Sequence, residues 1–105
     1  MRRRIGLLAI LALGLGAAAP PPGTAVNIDN FAFSPAELTV PVGTTVVWTN
    51  RDDIPHTVTA AETPRLFKSE TLDTDDHFSY RFDHPGRFAY FCSLHAHMQG
   101  VIVVK

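Results

Sequence analysis

Short alternations of apolar and polar residues recur along the chain after residue 23. Val26 and Ile28, for example, alternate with polar neighbours. Similar alternations, or short apolar runs, occur at 38–42, 45–49, 78–82, 88–92 and 101–104, with turn residues such as Gly43 and the segment 83–86 between them. A period of two predicts β-strands. Because no segment has the period of an amphipathic helix, the pattern predicts an all-β Greek-key sandwich of about seven to eight strands.

The aromatic residues on these alternating faces are the predicted core of the sandwich. Trp48, Phe78, Phe82 and Phe88 occur at strand spacing, where aromatic side chains usually pack against the opposite sheet. The stretch from Ala60 to Asp76 has little alternation, so we expect an irregular strand and loops there.

The first nineteen residues differ from the rest of the chain. Three arginines, Arg2 to Arg4, precede an apolar run from Ile5 to Ala19, which is shorter than the roughly 20 residues that span a bilayer. The pattern is typical of a signal peptide cleaved after Ala18 or Ala19, the alternative being a retained membrane anchor. We therefore predict a signal peptide at 1–19 and one domain at 20–105, periplasmic or secreted, monomeric and without stable membrane insertion.

Charge and length exclude several classes of protein. The chain has 105 residues, with 9 Lys+Arg and 10 Asp+Glu, which is too short for a two-domain enzyme. Loss of the three leader arginines leaves 6 basic residues, hence a net charge of −4. No basic cluster remains that would bind nucleic acid. Five acidic residues either steer a basic partner or are scattered surface charges: Asp52, Asp53, Asp73, Asp75 and Asp76.

The single cysteine, Cys92, is the starting point for the chemistry. It cannot form an intramolecular disulfide, and a free thiol in an oxidising compartment is a liability, so we expect a metal to occupy the sulfur. His95 and Met98 follow in a C-x-x-H-x-x-M pattern, and His56 follows a strand end and a short loop. Thiolate, imidazole and thioether ligands suit copper, with Met98 as the weak axial ligand.

Zinc is the alternative metal. A tetrahedral zinc site would use Cys92 with His56, His95 and His97. His97 lies two residues after His95 and is either a further ligand or a solvated side chain. His77, in an acidic loop, and His84, in a Pro-Gly turn, are predicted to be solvated.

At these residues the chain resembles a cupredoxin of the plastocyanin and amicyanin type. The two-residue gap between His95 and Met98 is similar to the amicyanin ligand loop. The resemblance covers nearly all of the chain after the leader and rests on the following segments: Phe31-Ala32-Phe33-Ser34-Pro35, Leu38-Thr39-Val40-Pro41-Val42-Gly43-Thr44, Val46-Val47-Trp48-Thr49-Asn50, Pro55-His56-Thr57-Val58, Gly86-Arg87-Phe88-Ala89-Tyr90-Phe91-Cys92 and Gly100-Val101-Ile102-Val103-Val104.

Two positions depart from the family pattern. Thr57 follows the first ligand histidine where relatives often have Asn, and we expect its hydroxyl to make one loop-tying hydrogen bond in place of the amide's several. Leu94 and Ala96 flank His95 where the amicyanin loop has prolines. The ligand loop is therefore expected to be less stiff.

The resemblance implies one type 1 copper ion and single-electron transfer between extracytoplasmic redox partners. His56 is expected to be the enclosed imidazole. His95 is the expected exit route, within an apolar patch formed by Leu94, Ala96, Ile54 and Pro55, where redox partners would dock transiently. Storage or delivery of copper with the same ligands is the alternative.

An enzymatic role is not expected. Ser93 follows Cys92 where multicopper oxidases and copper nitrite reductases have a His, and the chain has no second Cys for a binuclear site.

Overall fold

The computed structural model of the protein describes residues 20–105, and the two-layer β-sandwich is confirmed. This part of the chain contains no helix, and hence none that is long and apolar enough to cross a membrane. The signal peptide predicted at 1–19, and its alternative as an anchor, lie outside the described residues. The strands are β1 (Ala25–Asp29), β2 (Ala32–Ser34), β3 (Glu37–Val40), β4 (Thr44–Asn50), β5 (Thr59–Ala60), β6 (His77–Phe82), β7 (Gly86–Cys92) and β8 (His95–Val104).

The strands form two four-stranded sheets, in the orders β2-β1-β4-β6 and β3-β8-β7-β5. Each sheet contains one parallel pair: β1 pairs with β4, where Val26 lies opposite Trp48, and β3 pairs with β8, where Leu38 lies opposite Ile102. Cys92 ends β7, His95 begins β8, and His56 lies in the segment between β4 and β5.

The core lies between the two sheets and is rich in aromatic rings. Trp48 and Phe82 are buried as predicted, and Phe78 and Phe88 are half-buried against the same core. Tyr90 of the second sheet meets Trp48 edge to face, with ring centroids 5.4 Å apart. Such pairs add to the stabilisation that burial of the rings provides.

The irregular segment between β5 and β6 also contributes to the core, which its sequence does not predict. Phe67 and Leu72 are both buried. The Phe67 ring centroid lies 5.8 Å from that of Trp48. Isolated bridges join Thr59 to Lys68 and His56 to Leu72. Because these two apolar residues belong to no alternating run, period alone cannot assign them to the core.

The last strand is longer than the sequence predicts. The pattern predicts a closing strand at 101–104 and a ligand loop before it, whereas β8 begins at His95. The expected ligand loop is therefore a tight hairpin turn at Ser93 and Leu94 followed by strand.

Candidate metal centre

The β7–β8 hairpin brings Cys92 and His95 together. The two residues are paired directly across the strands, next to a register shift between Phe91 and Cys92. Side chains of opposing residues in a pair project from the same face, and here Cys92 Sγ lies 3.7 Å from His95 Nδ1. The spacing C-x-x-H therefore has a structural reason: a two-residue turn places the thiol and the imidazole side by side.

His56 reaches the same end of the sandwich through the loop after β4. Its backbone exchanges two hydrogen bonds with Leu72, at 3.1 and 2.8 Å. The buried Asn50 at the end of β4 donates its side-chain N–H groups to the carbonyls of Ile54 and Leu72, and its Oδ1 accepts from Asp52 N. These bonds fix the loop, and His56 Nδ1 lies 3.7 Å from Cys92 Sγ.

The three donor atoms fit a three-coordinate first-row metal ion. The ligand atoms of His56, Cys92 and His95 all lie within 4.8 Å of one another. Bonds of roughly 2.0–2.3 Å in one plane hold neighbouring N and S donors about 3.7 Å apart, which matches both Sγ–Nδ1 distances. His56 and Cys92 are buried and His95 is half-buried. The fold therefore brings the three donor atoms to distances that suit a single metal ion.

The remaining candidates divide into one buried and three exposed residues. Met98 is buried on β8, three residues after His95. His97 is exposed and lies outside the metal-ligand group found in residues 20–105, so the zinc set that includes it is not assembled. His77 and His84 are exposed, as predicted.

Thr57 ties the His56 segment to the Cys92 turn more firmly than predicted. Its backbone N–H donates to Cys92 Sγ at 3.4 Å. Its hydroxyl oxygen accepts from Ser93 N at 2.7 Å and lies within hydrogen-bond distance of the hydroxyls of Ser93 and Thr59, at 2.9 and 3.1 Å. The expectation of a single hydrogen bond is wrong because Ser93 supplies a complementary backbone donor and a hydroxyl.

Asp52 is part of the site rather than a free surface acid. Its Oδ2 lies 2.8 Å from His56 Nε2, and its side chain is only 12% exposed. It also accepts the backbone N–H groups of Asn30 and Phe31. Although burial acts in the opposite direction, these N–H groups and His56 lower the pKa of the Asp52 carboxyl below its usual value. Sequence spacing gave no signal for this role.

Comparison with known proteins places this geometry in a family. The family model described as cupredoxin-like domain matches residues 4–104. The chain is 33% identical over 90 residues to amicyanin-alpha of Methylorubrum extorquens, covering 83% of this chain and 76% of that protein. It is 33% identical over 84 residues to plastocyanin of Scenedesmus fuscus, covering 70% and 86%. The chain belongs to the cupredoxin-like family.

Solved structures support the same assignment. A purple cupredoxin from Nitrosopumilus maritimus superimposes with a TM-score of 0.74 at 34% identity, covering 78% of this chain and 99% of that one. The Cu(I) form of an amicyanin mutant gives a TM-score of 0.76 at 28% identity, covering 83% and 86%. Family membership and the thiolate and imidazole donors together confirm copper as the cofactor of this cupredoxin-like chain.

Proposed function

We propose that this protein is a type 1 copper electron carrier that works outside the cytoplasm. The proposed ligands are His56, Cys92 and His95, with Met98 as the weak axial ligand. The observation that carries the proposal is the triangle of Cys92 Sγ and two imidazole Nδ1 atoms, in which each Nδ1 lies 3.7 Å from the sulfur. When bound, copper supplies the single-electron change between Cu(I) and Cu(II).

Rigidity of the donors supports electron transfer. A carrier must change charge without a large rearrangement of its ligands. Cys92 is fixed at the end of β7 and accepts the N–H of Thr57, and His56 is fixed by Asp52 and by its bridge to Leu72. These contacts preorganise the ligands, which is the protein's part in the reaction.

The two imidazoles are not equivalent. His56 is fully buried, whereas His95 is half-buried at the start of β8. Electrons would therefore enter and leave through His95. Of the residues predicted to form the apolar patch, Leu94 is 51% exposed, Ala96 and Pro55 are exposed, and Ile54 is half-buried. A small apolar surface of this kind suits a transient redox encounter rather than a permanent complex.

The acidic residues give weaker support for steering of a basic partner. Asp52 is used within the site, and Asp75 pairs with Arg51 at 2.9 Å. Asp53, Asp73 and Asp76 are exposed. We therefore propose that docking depends mainly on the apolar surface near His95. We also propose that the working protein is a monomer exported by means of its leader, and that it is not an enzyme.

Copper delivery is the competing function for the same ligands. A second imidazole close enough to His95 to share the metal would favour hand-over. His97, however, lies outside the three-residue group, so the geometry favours a carrier that keeps its metal.

The test is an absorption and electron-spin-resonance spectrum of the copper-loaded protein. The parent should show the intense visible thiolate-to-copper band, and Cys92→Ser should lose it. His95→Ala should alter the spectrum strongly, whereas the matched control His97→Ala should leave it unchanged. Persistence of the band in Cys92→Ser contradicts the ligand assignment. Loss of copper during repeated oxidation and reduction contradicts the carrier function and supports delivery.

A further inference from the structure

A strained turn lies beside the metal centre. Asn30 and Phe31, between β1 and β2, both have positive φ angles, 52° and 59°. Two consecutive residues other than glycine are uncommon in the left-handed region, and a bulky aromatic residue in this region is rarer still. Such a conformation persists when surrounding contacts hold it, and it often occurs at functional sites.

The carboxylate of Asp52 holds this turn. Asp52 Oδ1 accepts the N–H of Asn30 at 2.6 Å, and Oδ2 accepts the N–H of Phe31 at 2.9 Å. Successive backbone N–H groups that point to one place form a natural site for an anion. Because Oδ2 also contacts His56 Nε2, the same carboxylate fixes the strained turn and a proposed copper ligand.

The result is that the Phe31 ring lies against both ligand imidazoles. It meets His95 edge to face, with centroids 5.2 Å apart and planes at 89°, and it meets His56 in the same way at 5.7 Å and 86°. The side chain is still 46% exposed. Burial alone therefore does not explain where the Phe31 ring lies. The main structural consequence of its position is the contact with the two imidazole rings.

His95 needs such a contact more than His56 does. The His56 ring is buried and bound through Nε2 to Asp52. Among residues 20–105, the only hydrogen-bond-range contact of the His95 ring is that of Nδ1 with Cys92 Sγ. The residues on either side of His95, Leu94 and Ala96, are exposed and neither is a proline. Packing must therefore hold this imidazole.

We infer that Phe31 is a positioning residue that keeps the His95 imidazole in its metal-binding orientation, and that Asp52 sets Phe31 in place. The inference rests on the proposed function for its use of copper. It predicts that the aromatic ring slows departure of the metal, because His95 must turn away from Cys92 before the site opens. The ring also reduces access of water to the half-buried imidazole.

The first test compares copper release in Phe31→Ala, Phe31→Tyr and the control Val42→Ala. Val42 is similarly exposed, at 47%, but lies in the turn before β4, whereas the site is beyond the other end of that strand. Capture of Cu(I) by a chelator should be about 10-fold faster or more in Phe31→Ala, the scale on which partners of metal ligands act. Phe31→Tyr should restore the parent rate, and Val42→Ala should not change it. Equal rates in Phe31→Ala and the parent would overturn the inference.

The second test does not need copper. In the metal-free protein, the ring current of Phe31 should displace the His95 ring-proton resonances, and Phe31→Ala should move them and increase their motional averaging. If those resonances stay unchanged in Phe31→Ala, the inference is wrong. If they change but the parent shows no thiolate-to-copper band, the proposed function fails while the positioning role of Phe31 stands.

Discussion

Asp52 Oδ2 and His56 Nε2 lie 2.8 Å apart, and this contact decides which nitrogen of the imidazole faces the sulfur. The carboxylate accepts a hydrogen bond from Nε2–H, which keeps the proton of the neutral imidazole on Nε2 and leaves the lone pair of Nδ1 free to bind a metal ion. Nδ1 is the atom that lies 3.7 Å from Cys92 Sγ. Although burial acts in the opposite direction, the N–H groups of Asn30 and Phe31 and the contact with His56 lower the pKa of Asp52 and so favour its ionised, accepting form.

Asp52→Asn should weaken copper binding about 10- to 100-fold, as loss of a partner of a metal ligand typically does. In the parent, the two carboxylate oxygens accept from Asn30 N and Phe31 N and contact His56 Nε2. The amide of the variant has only one acceptor oxygen for these three partners. Affinity can be measured by competition with a chelator of known strength. Asp53→Asn, an exposed acid beside it, is the control. If both variants bind copper as the parent does, Asp52 does not orient His56.

Thr57→Val should lower the free energy of unfolding of the copper-free protein. Valine has a similar shape but no oxygen, so the part-buried hydrogen bond from Ser93 N is lost, and a typical hydrogen bond contributes about 0.5–1.5 kcal/mol. Ser93→Ala keeps that acceptor and removes only the hydroxyl contact, so its effect should be smaller. Urea denaturation of both variants measures the difference. A larger loss in Ser93→Ala than in Thr57→Val would show that the Thr57 oxygen is not the centre of this connection.

The sequence predicts the fold and the proposed pair of Cys92 and His95 because both depend on short spacings. Period two identifies most strands, and the interval of three between Cys92 and His95 matches a hairpin turn. The sequence does not predict the contact of Phe31 with Asp52. This contact joins residues 21 positions apart and depends on a left-handed turn that contains no glycine. Nor does the sequence assign Phe67 to the core, because an irregular segment supplies that residue. Long-range polar contacts and aperiodic burial require the three-dimensional structure.

Copper should raise the melting temperature, because it binds the folded chain and joins the His56 segment to the β7–β8 hairpin. A ligand present at 1,000 times its dissociation constant stabilises the folded state by about 4 kcal/mol. Calorimetry of the copper-free and copper-loaded forms measures this gain. In His56→Ala the gain should be much smaller, since one of the three donors is absent. Equal melting temperatures for the two forms of the parent would contradict a site that joins these segments.

The buried phenol of Tyr90 should make the free energy of unfolding fall in alkaline solution. Burial raises the pKa of its phenol from 10.0 to about 12 in the folded protein, although the nearby Trp48 side chain acts in the opposite direction. Below pH 10 the Tyr90 phenol is protonated in both the folded and the unfolded chain, and its contribution to the free energy of unfolding is fully present. From about pH 10 to about 12 the unfolded chain loses the proton first, so the free energy of unfolding falls as pH rises. Tyr90→Phe should remove this part of the pH dependence, whereas Tyr80→Phe, at a half-buried ring, is the comparison. An unchanged alkaline slope in Tyr90→Phe contradicts the assignment.

Gly100→Ala should destabilise the sandwich because Tyr90 occupies the space that a methyl group needs. The two residues are paired across β7 and β8, and a Cβ on Gly100 would meet the hydroxyl and ring of Tyr90. Gly100 does not have a positive φ, so its backbone would accept alanine and space is the limit. Overpacking of this kind costs about 1–3 kcal/mol. Gln99→Ala, at the exposed neighbouring position, should change the urea midpoint little, as surface substitutions usually do. If Gly100→Ala unfolds at the same midpoint as the parent, the Tyr90 ring is free to move away from β8, and the close packing of these two strands is not rigid.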